Sequence, residues 1–209
     1  MKQPQNIADI AALNPDYLGF IFYEKSKRYV GEDFDAALTN HLPKGIKKVG
    51  VFVNASLEYV QSKVQKYDLD LVQLHGEESV EYCRANGIAF AKKGLKTQII
   101  KVFSIGQTFD FQQLEPYKLH CDYFLFDTKG KEKGGNGFAF NWNVLKDYDN
   151  EKLFFLSGGL SLENVGEVQK LDGLNIVAID VNSGFEIKPG LKSIKKVKQL
   201  ITILKNEQN

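Results

Sequence analysis

A carboxylate at the end of an apolar run is the first candidate for chemistry. Residues 123–126 are apolar and aromatic, which predicts a buried strand, and Asp127 follows them directly. A glycine-rich loop comes next, with Gly130, Gly134, Gly135 and Gly137. Parallel α/β proteins place catalytic groups at the carboxyl ends of their strands, so Asp127 is a candidate acid or base. Aspartate is also a common turn residue, and this stretch alone leaves both interpretations open.

Two glycine-containing turns follow the last two predicted strands. Their residues are Ser157, Gly158 and Gly159 in the first and Asn182, Ser183 and Gly184 in the second. Glycine lets the backbone approach a ligand closely, and N–H groups at helix starts are donors for an anion. In (β/α)8 barrels the phosphate site is often built from these two loops. We therefore favour a phosphate site over ordinary turns.

Two further side chains follow strands earlier in the chain. Arg28 lies in a basic loop, and its planar fork suits a carboxylate, although the loop residues alone favour a solvated surface. His75 follows the strand predicted at 71–74 and either contacts a ligand or caps the strand. His41 and His120 look structural, and the three histidines lack the spacing of metal ligands. No metal site is predicted.

Composition excludes several classes of function. The 209 residues carry 27 basic and 26 acidic side chains, a net charge of +1, which argues against nucleic-acid or membrane-surface partners. Cys83 and Cys121 provide no disulfide framework, so a reducing compartment is expected. The opening residues show no apolar signal region, and no apolar run approaches the roughly 18 residues of a membrane span. The expected location is the cytoplasm.

Strand and helix patterns alternate throughout, which predicts βαβ units around a parallel sheet. The strands are mostly continuous apolar runs, as expected when both faces are buried. We predict one α/β domain over residues 1–209, with about seven strands and eight helices. A closed (β/α)8 barrel needs eight strands, and the chain opens on a helix. Either the sheet is a different, open one, or a first strand is absent from these 209 residues.

Short motifs occur in a fixed order along almost the whole chain. They read GFIFY at 19–23, SKRY at 26–29, VGVFVN at 49–54, VQLHG at 72–76, IKVF at 100–103, FDT at 126–128, SGGL at 157–160 and DVNSGFE at 180–186. Each is unspecific alone, but the series resembles the phosphoribosylanthranilate isomerase family. The resemblance implies a (β/α)8 TIM barrel whose first strand is missing here, and a small-molecule phosphoribosyl substrate bound by a monomer or homodimer.

The resemblance also implies a reaction. The family converts N-(5-phosphoribosyl)anthranilate to 1-(2-carboxyphenylamino)-1-deoxyribulose 5-phosphate in tryptophan biosynthesis, by an Amadori rearrangement without metal or organic cofactor. An acid protonates the ribose ring oxygen and opens the ring to a Schiff base, and a base then removes the C2 proton. Asp127 matches the acid, and an apolar setting against Phe124 and Phe126 is expected to keep it protonated.

The resemblance assigns ligand contacts as well. Arg28 matches the residue that meets the anthranilate carboxylate. The backbone around the two late turns would hold the phosphate, at Gly158, Gly159, Ser183 and Gly184. The second turn reads Asn182-Ser183 where Ser-Ser is more usual, which is compatible with phosphate binding.

One departure concerns the base. The family uses a cysteine in a Lys-x-Cys-Gly motif at the end of its first strand, and these 209 residues contain no such motif. Cys83 lies in a predicted helix and Cys121 lies before its strand, so neither substitutes. We expect the natural protein to carry about seven to nine more residues, one short strand, including the cysteine. A 209-residue form should then be nearly inactive and less stable, with two unpaired barrel edges. An in-frame stop codon just upstream of Met1 would refute this.

Two alternatives remain open. The first is a non-catalytic phosphoribosyl-binding barrel that has lost its base and binds ligand without isomerising it. The second is another phosphosugar barrel enzyme, either an epimerase, which needs metal-ligating residues, or indole-glycerol-phosphate synthase. The synthase needs a lysine and a glutamate at strand ends, and Lys101 alone is a poor match.

Overall fold

The computed structural model describes residues 1–128, 142–171 and 173–206. Seven parallel strands form one sheet in chain order, as the alternating pattern predicted. They are β1 (Tyr17–Ile21), β2 (Lys47–Phe52), β3 (Leu71–Leu74), β4 (Gln98–Ile105), β5 (Tyr123–Thr128), β6 (Phe154–Ser157) and β7 (Ile176–Asp180). The glycine-rich loop predicted after Asp127 lies almost entirely outside the described residues.

Helices connect consecutive strands on the outside of the sheet. The α-helices are α1 (Pro4–Ala11), α2 (Ala37–Asn40), α3 (Leu57–Tyr67), α4 (Val80–Lys92) and α5 (Ile194–Asn206). Short 3-10 helices cover Phe111–Tyr117, Trp142–Asp147, Val165–Lys170 and Ser183–Phe185. Ser56 and Ser79 cap α3 and α4 by accepting hydrogen bonds from the N–H groups of Tyr59 and Tyr82. No helix in the described ranges combines the length and the apolar character needed to cross a bilayer.

The side chains of the sheet divide between an inner and an outer core. The inner core contains Val49, Leu71, Ile100, Val102, Leu125 and Phe155. Tyr17 of β1 meets Phe155 of β6 there, with ring centroids 5.0 Å apart, so the sheet curls round on itself. On β5, Leu125 faces this inner core, whereas Phe124 and Phe126 pack in the outer core beneath the helices.

This alternation corrects the expected surroundings of Asp127. Asp127 lies two residues beyond Leu125, so the period of the strand turns it inward, away from Phe124 and Phe126. The prediction that those two rings shelter the carboxyl group is therefore wrong. The apolar run was interpreted as one surface, but its members face opposite sides of the sheet.

A two-stranded antiparallel hairpin after β7 was not predicted. It consists of β8 (Glu186–Lys188) and β9 (Leu191–Lys192), joined through Gly190 at a φ of 83°. The sequence signal was the Pro189-Gly190 pair, a strong turn dipeptide between two very short strands. The hairpin matters for the site because it begins with Glu186.

Candidate active site

Polar side chains stand in a row at the carboxyl ends of the last strands. The strand register pairs Asp127 with Ser157, and Ser157 with Asp180. Ser157 Oγ donates a hydrogen bond to Asp180 Oδ2 over 3.2 Å. The Asp127 side chain is 27% exposed. Asp127 therefore lies at the mouth of the curled sheet, where a ligand can reach it.

His75 approaches Asp127 at this mouth. Its Nε2 lies 3.6 Å from Asp127 Oδ2, slightly too far for a direct hydrogen bond. On the other side of the ring, Gln73 Nε2 lies 3.0 Å from His75 Nδ1. Because an amide nitrogen only donates, Nδ1 is the acceptor and the proton of the neutral ring is on Nε2, facing Asp127. The structure thus brings two predicted site residues together.

The turns after β2 and β3 interlock next to His75. Glu78 accepts hydrogen bonds from the backbone N–H groups of Asn54 (2.9 Å) and Gly76 (2.9 Å). Asn54 Oδ1 in turn accepts a hydrogen bond from the N–H of Glu77 over 2.8 Å. A Cβ added at Gly76 would lie only 2.4 Å from Asn54 Oδ1. The two turns therefore form one unit, and this unit carries His75.

A Gly76→Ala substitution should destabilise the protein, because the Asn54 turn has no room for the added methyl group. We expect a loss of about 1–3 kcal/mol in the free energy of unfolding, measured by urea denaturation. Gly45→Ala is the matched control, since a Cβ there would meet nothing within 4 Å. Equal stability changes in the two variants would contradict the close packing of these turns.

Arg28 is held by Glu186 from the opposite end of the chain. Arg28 Nε lies 3.0 Å from Glu186 Oε1 and Nη2 lies 2.6 Å from Oε2, so the pair is bidentate. The Arg28 side chain is 25% exposed and that of Glu186 is 3% exposed. The interpretation of Arg28 as part of a solvated basic loop is therefore wrong. Its guanidinium group joins the loop after β1 to the hairpin after β7.

The Glu186 carboxyl group makes stability depend on acid pH. Burial alone would raise its pKa, but hydrogen bonds from Arg28 and the Gly190 N–H, with the nearby charge of Lys192, hold the pKa below its usual 4.5. A group whose pKa is lower when folded stabilises the protein above its unfolded pKa and loses that contribution as the pH falls.

We therefore expect the free energy of unfolding to decrease as the pH falls below about 4.5. In a Glu186→Gln variant this decrease should be smaller, because the titrating carboxyl group is gone. Chemical denaturation at a series of pH values measures both curves. Parallel curves for the two proteins would contradict the assignment.

The two late glycine turns lie against each other. Gly158 and Gly159 have φ angles of 93° and 63°, which favour glycine at both positions. Gly184 lies so close to the first turn that a Cβ there would be 2.5 Å from the Leu160 carbonyl oxygen. Asn164 orders the first turn, accepting from the Ser161 N–H (2.8 Å) and donating to the Gly159 carbonyl (2.9 Å). The predicted phosphate turns are thus adjacent at the mouth.

The side chain of Asn182 is already engaged. Its Oδ1 accepts a hydrogen bond from Lys192 Nζ over 3.0 Å, and the same ammonium group donates to the Val181 carbonyl over 2.7 Å. Ser183 opens the short 3-10 helix that follows. Lys192 thus holds the oxygen of this side chain, while an anion would be met by N–H donors, which the Asn182 amide nitrogen and the backbone of the turn both carry.

The cysteines lie away from the mouth. Cys83 on α4 and Cys121 before β5 are both buried in the outer core, and both are free thiols. Cys83 thus lies on a helix and Cys121 before its strand, as the sequence predicted. Within the described ranges, no group of three or more His, Cys, Asp or Glu side chains could hold a metal ion.

Sequence reasoning missed the residues that support the site. Gln73, Glu78 and Glu186 orient or hold His75 and Arg28, and none was predicted to do so. Gln73 and Glu186 did lie inside the VQLHG and DVNSGFE motifs. Glu186 and Arg28 are 158 residues apart in the chain, and a single sequence carries no signal for such a pairing.

Comparison with known proteins decides the family. The model of the N-(5'-phosphoribosyl)anthranilate (PRA) isomerase family matches residues 1–203. The chain belongs to this isomerase family. A relative from Parabacteroides distasonis, named N-(5'-phosphoribosyl)anthranilate isomerase, is 44% identical over 202 residues, which cover 96% of this chain and 89% of the relative.

Solved structures of the isomerase family share the fold. The phosphoribosyl anthranilate isomerase of Thermotoga maritima is 32% identical, with a TM-score of 0.84 over 99% of this chain and 96% of the other. Another solved phosphoribosyl anthranilate isomerase is 30% identical, with a TM-score of 0.79 over 99% and 95% of the two chains. It is in complex with reduced 1-(o-carboxyphenylamino)-1-deoxyribulose 5-phosphate. The protein is thus an isomerase of tryptophan biosynthesis with a TIM-barrel fold, as the motifs predicted.

Proposed function

We propose that Asp127 is the general acid of the isomerisation and that the surrounding mouth binds N-(5-phosphoribosyl)anthranilate at both ends. The register that places Asp127 beside Ser157 and Asp180 carries this proposal, because it sets the acid next to the late glycine turns. His75 and Arg28 reach the same mouth from the loops after β3 and β1. These positions, at or after the carboxyl ends of strands of one sheet, support the proposal.

The phosphate end of the substrate is proposed to lie at the late glycine turns. Backbone N–H groups around Gly158, Gly159, Ser183 and Gly184 are the donors. Gly158 and Gly159 have positive φ angles, and the absence of a Cβ at both positions allows a phosphate to approach. Asn164 holds the first turn in shape, so its donors are oriented before the ligand arrives.

The carboxylate end is proposed to meet Arg28. Glu186 occupies the Nε and Nη2 edge of the guanidinium, and Nη1 makes none of these contacts. An arginine presents more than one edge to carboxylates, so the edge that carries Nη1 can receive the anthranilate group. Glu186 fixes the plane of the guanidinium, and this fixes the direction from which the ligand carboxylate binds.

Asp127 lies between these two ends in the proposed complex, where the ribose would be. Its proton goes to the ring oxygen, the ring C–O bond breaks, and a Schiff base forms. A base then takes the C2 proton, and the enol becomes the ketone. Both cysteines of these 209 residues lie in the outer core, so we assign the base to neither. His75 Nε2–H is placed to steady the Asp127 carboxylate once its proton has left.

Other aspects of the proposal concern the setting of the enzyme. We propose a monomer or homodimer that acts on this small phosphoribosyl substrate, with no nucleic-acid or membrane partner, since 27 basic residues balance 26 acidic ones. Two free thiols support a reducing compartment, for which we propose the cytoplasm. Sedimentation of the purified protein measures the oligomeric state.

The proposed function is tested by expressing the protein from the natural start codon of its gene, incubating it with N-(5-phosphoribosyl)anthranilate and identifying the product by mass spectrometry and NMR. The expected product is the deoxyribulose phosphate, formed without added metal or cofactor. Binding of the substrate with no product would favour the non-catalytic binding barrel. Failure to bind the substrate would contradict both.

A further inference from the structure

Lys101 is a buried charge that the proposed chemistry does not use. It lies on β4 between Ile100 and Val102, which both face the inner core, so Lys101 points to the outer face. Its side chain is 4% exposed. A buried ammonium group is costly unless it is fully paired, so its partners show what it holds in place.

The recorded hydrogen-bond partners of Lys101 Nζ lie at the end of β3 and in the turn after it, with one exception. Nζ donates to the carbonyl oxygen of Gly76 over 2.8 Å and lies 3.4 Å from that of Leu74. It also pairs with Glu78 Oε2 over 3.2 Å, and the Glu78 side chain is 2% exposed. The exception is the carbonyl of Val102 on its own strand, at 3.1 Å. Lys101 thus contacts the backbone carbonyl groups of the residues on both sides of His75.

Glu78 accepts hydrogen bonds from backbone N–H groups of the turns after β2 and β3. It accepts from Gly76 N–H and from Asn54 N–H, as described above, while its other contact is Lys101. Tyr117 OH also donates to the Glu78 carbonyl oxygen over 3.2 Å. The pair therefore ties the turns after β2 and β3 to β4, and His75 is the only residue between the two carbonyl groups that Lys101 contacts.

We propose that Glu78 and Lys101 are positioning residues, whose buried ion pair fixes the His75 ring between Gln73 and Asp127. Replacement of a buried pair by apolar groups often leaves stability unchanged or higher, so stability alone gives little reason for such a pair. Orientation gives a reason here. The ring of His75 has one defined neighbour on each side, and a small movement of its backbone would break the 3.0 Å contact with Gln73.

The first test measures the tautomer of the His75 ring by NMR in the protein without ligand. The chain has three histidines, so ¹⁵N-histidine labelling gives few signals, and a His75→Gln variant assigns those of His75. At a pH where imidazole is neutral, the wild-type ring should show an acceptor-type Nδ1 and a protonated Nε2. In Lys101→Met and in Glu78→Gln the two nitrogen shifts should move towards each other, as the tautomers mix.

Two controls separate positioning from general damage. Lys48→Met removes another ion-paired lysine of the sheet, 2.7 Å from Asp68, and should leave the His75 signals unchanged. Ile10→Ala lowers the melting temperature by truncating a core residue of α1, and should leave them unchanged as well. His75 shifts in both Lys101→Met and Glu78→Gln that superimpose on the wild type would overturn the proposal.

The second test is kinetic, and it rests on the proposed function. Lys101→Met in the full-length enzyme should lower kcat by about tenfold to a hundredfold, as expected when a site group is misplaced. In a His75→Gln background the same substitution should change kcat by less than about twofold, because the group it positions is gone. An equal loss in both backgrounds would show that Lys101 does not act through His75. If the wild type lacks turnover, the proposed function fails, while the NMR result still decides the positioning role.

Discussion

An Asp127→Asn variant of the full-length isomerase should lose about 10²–10⁴-fold in kcat for N-(5-phosphoribosyl)anthranilate. Asparagine keeps the size and the hydrogen-bonding oxygen of the side chain but has no proton to give to the ribose ring oxygen. The His75 contact at 3.6 Å does not depend on that proton, so the fold of the mouth should survive. KM should change little, because the phosphate and carboxylate ends of the substrate bind elsewhere. Steady-state kinetics and the melting temperature measure these effects.

Asp122→Asn is the matched control for this experiment. Asp122 immediately precedes β5, at the opposite end from Asp127, where its Oδ2 accepts a hydrogen bond from the Ile99 N–H over 2.7 Å. An asparagine oxygen can accept the same bond, so kcat should stay within about twofold of the wild type. Full activity of Asp127→Asn would show that Asp127 is not the general acid. Equal losses of kcat in both variants would show that the substitutions act by disturbing the structure.

An Arg28→Lys variant should lose about 10- to 150-fold in kcat/KM, mainly through KM. Lysine keeps the positive charge but has no planar fork, so it cannot hold Glu186 through two nitrogens and receive the anthranilate carboxylate as well. The variant should also lose stability at neutral pH, because the Glu186 side chain is only 3% exposed and would be poorly paired. Steady-state kinetics over a series of substrate concentrations measures kcat/KM, and urea denaturation measures the free energy of unfolding.

Arg84→Lys provides the control, since Arg84 is exposed on α4 and takes no part in the mouth. Its kcat/KM should equal that of the wild type. A substrate analogue without the anthranilate carboxylate makes the test more specific. Wild type and Arg28→Lys should bind that analogue equally, and a comparable loss for both ligands would contradict a carboxylate contact at Arg28.

The strands could be predicted from the sequence because buried parallel strands are apolar on both faces. Residues 123–126 are such a run and form the start of β5, and residues 71–74, apolar except for Gln73, form β3. Once these strands are predicted, His75 and Asp127 are identified as the residues at their carboxyl ends. Alternation along the strand was harder to apply, because Phe124, Leu125 and Phe126 are all apolar although they face different cores.

The contacts that hold the site together could not be predicted in the same way. Arg28 with Glu186, and Lys101 with Glu78, are pairs of charged residues that lie far apart in the sequence. Charged residues are usually solvated, so a single chain favours the exposed interpretation for each of them. Only the curl of the sheet brings the loop after β1 to the hairpin after β7.

The central claim is that one mouth binds both ends of the substrate with Asp127 between them. A crystal structure of the full-length protein with reduced 1-(o-carboxyphenylamino)-1-deoxyribulose 5-phosphate tests it most directly. We expect the phosphate on the backbone of Gly158, Gly159, Ser183 and Gly184 and the carboxylate at Arg28, each within about 3 Å. The Asp127 carboxyl group should lie at a similar distance from the oxygen derived from the ribose ring. A ligand bound elsewhere, or bound here with Asp127 out of reach of that oxygen, would contradict the account.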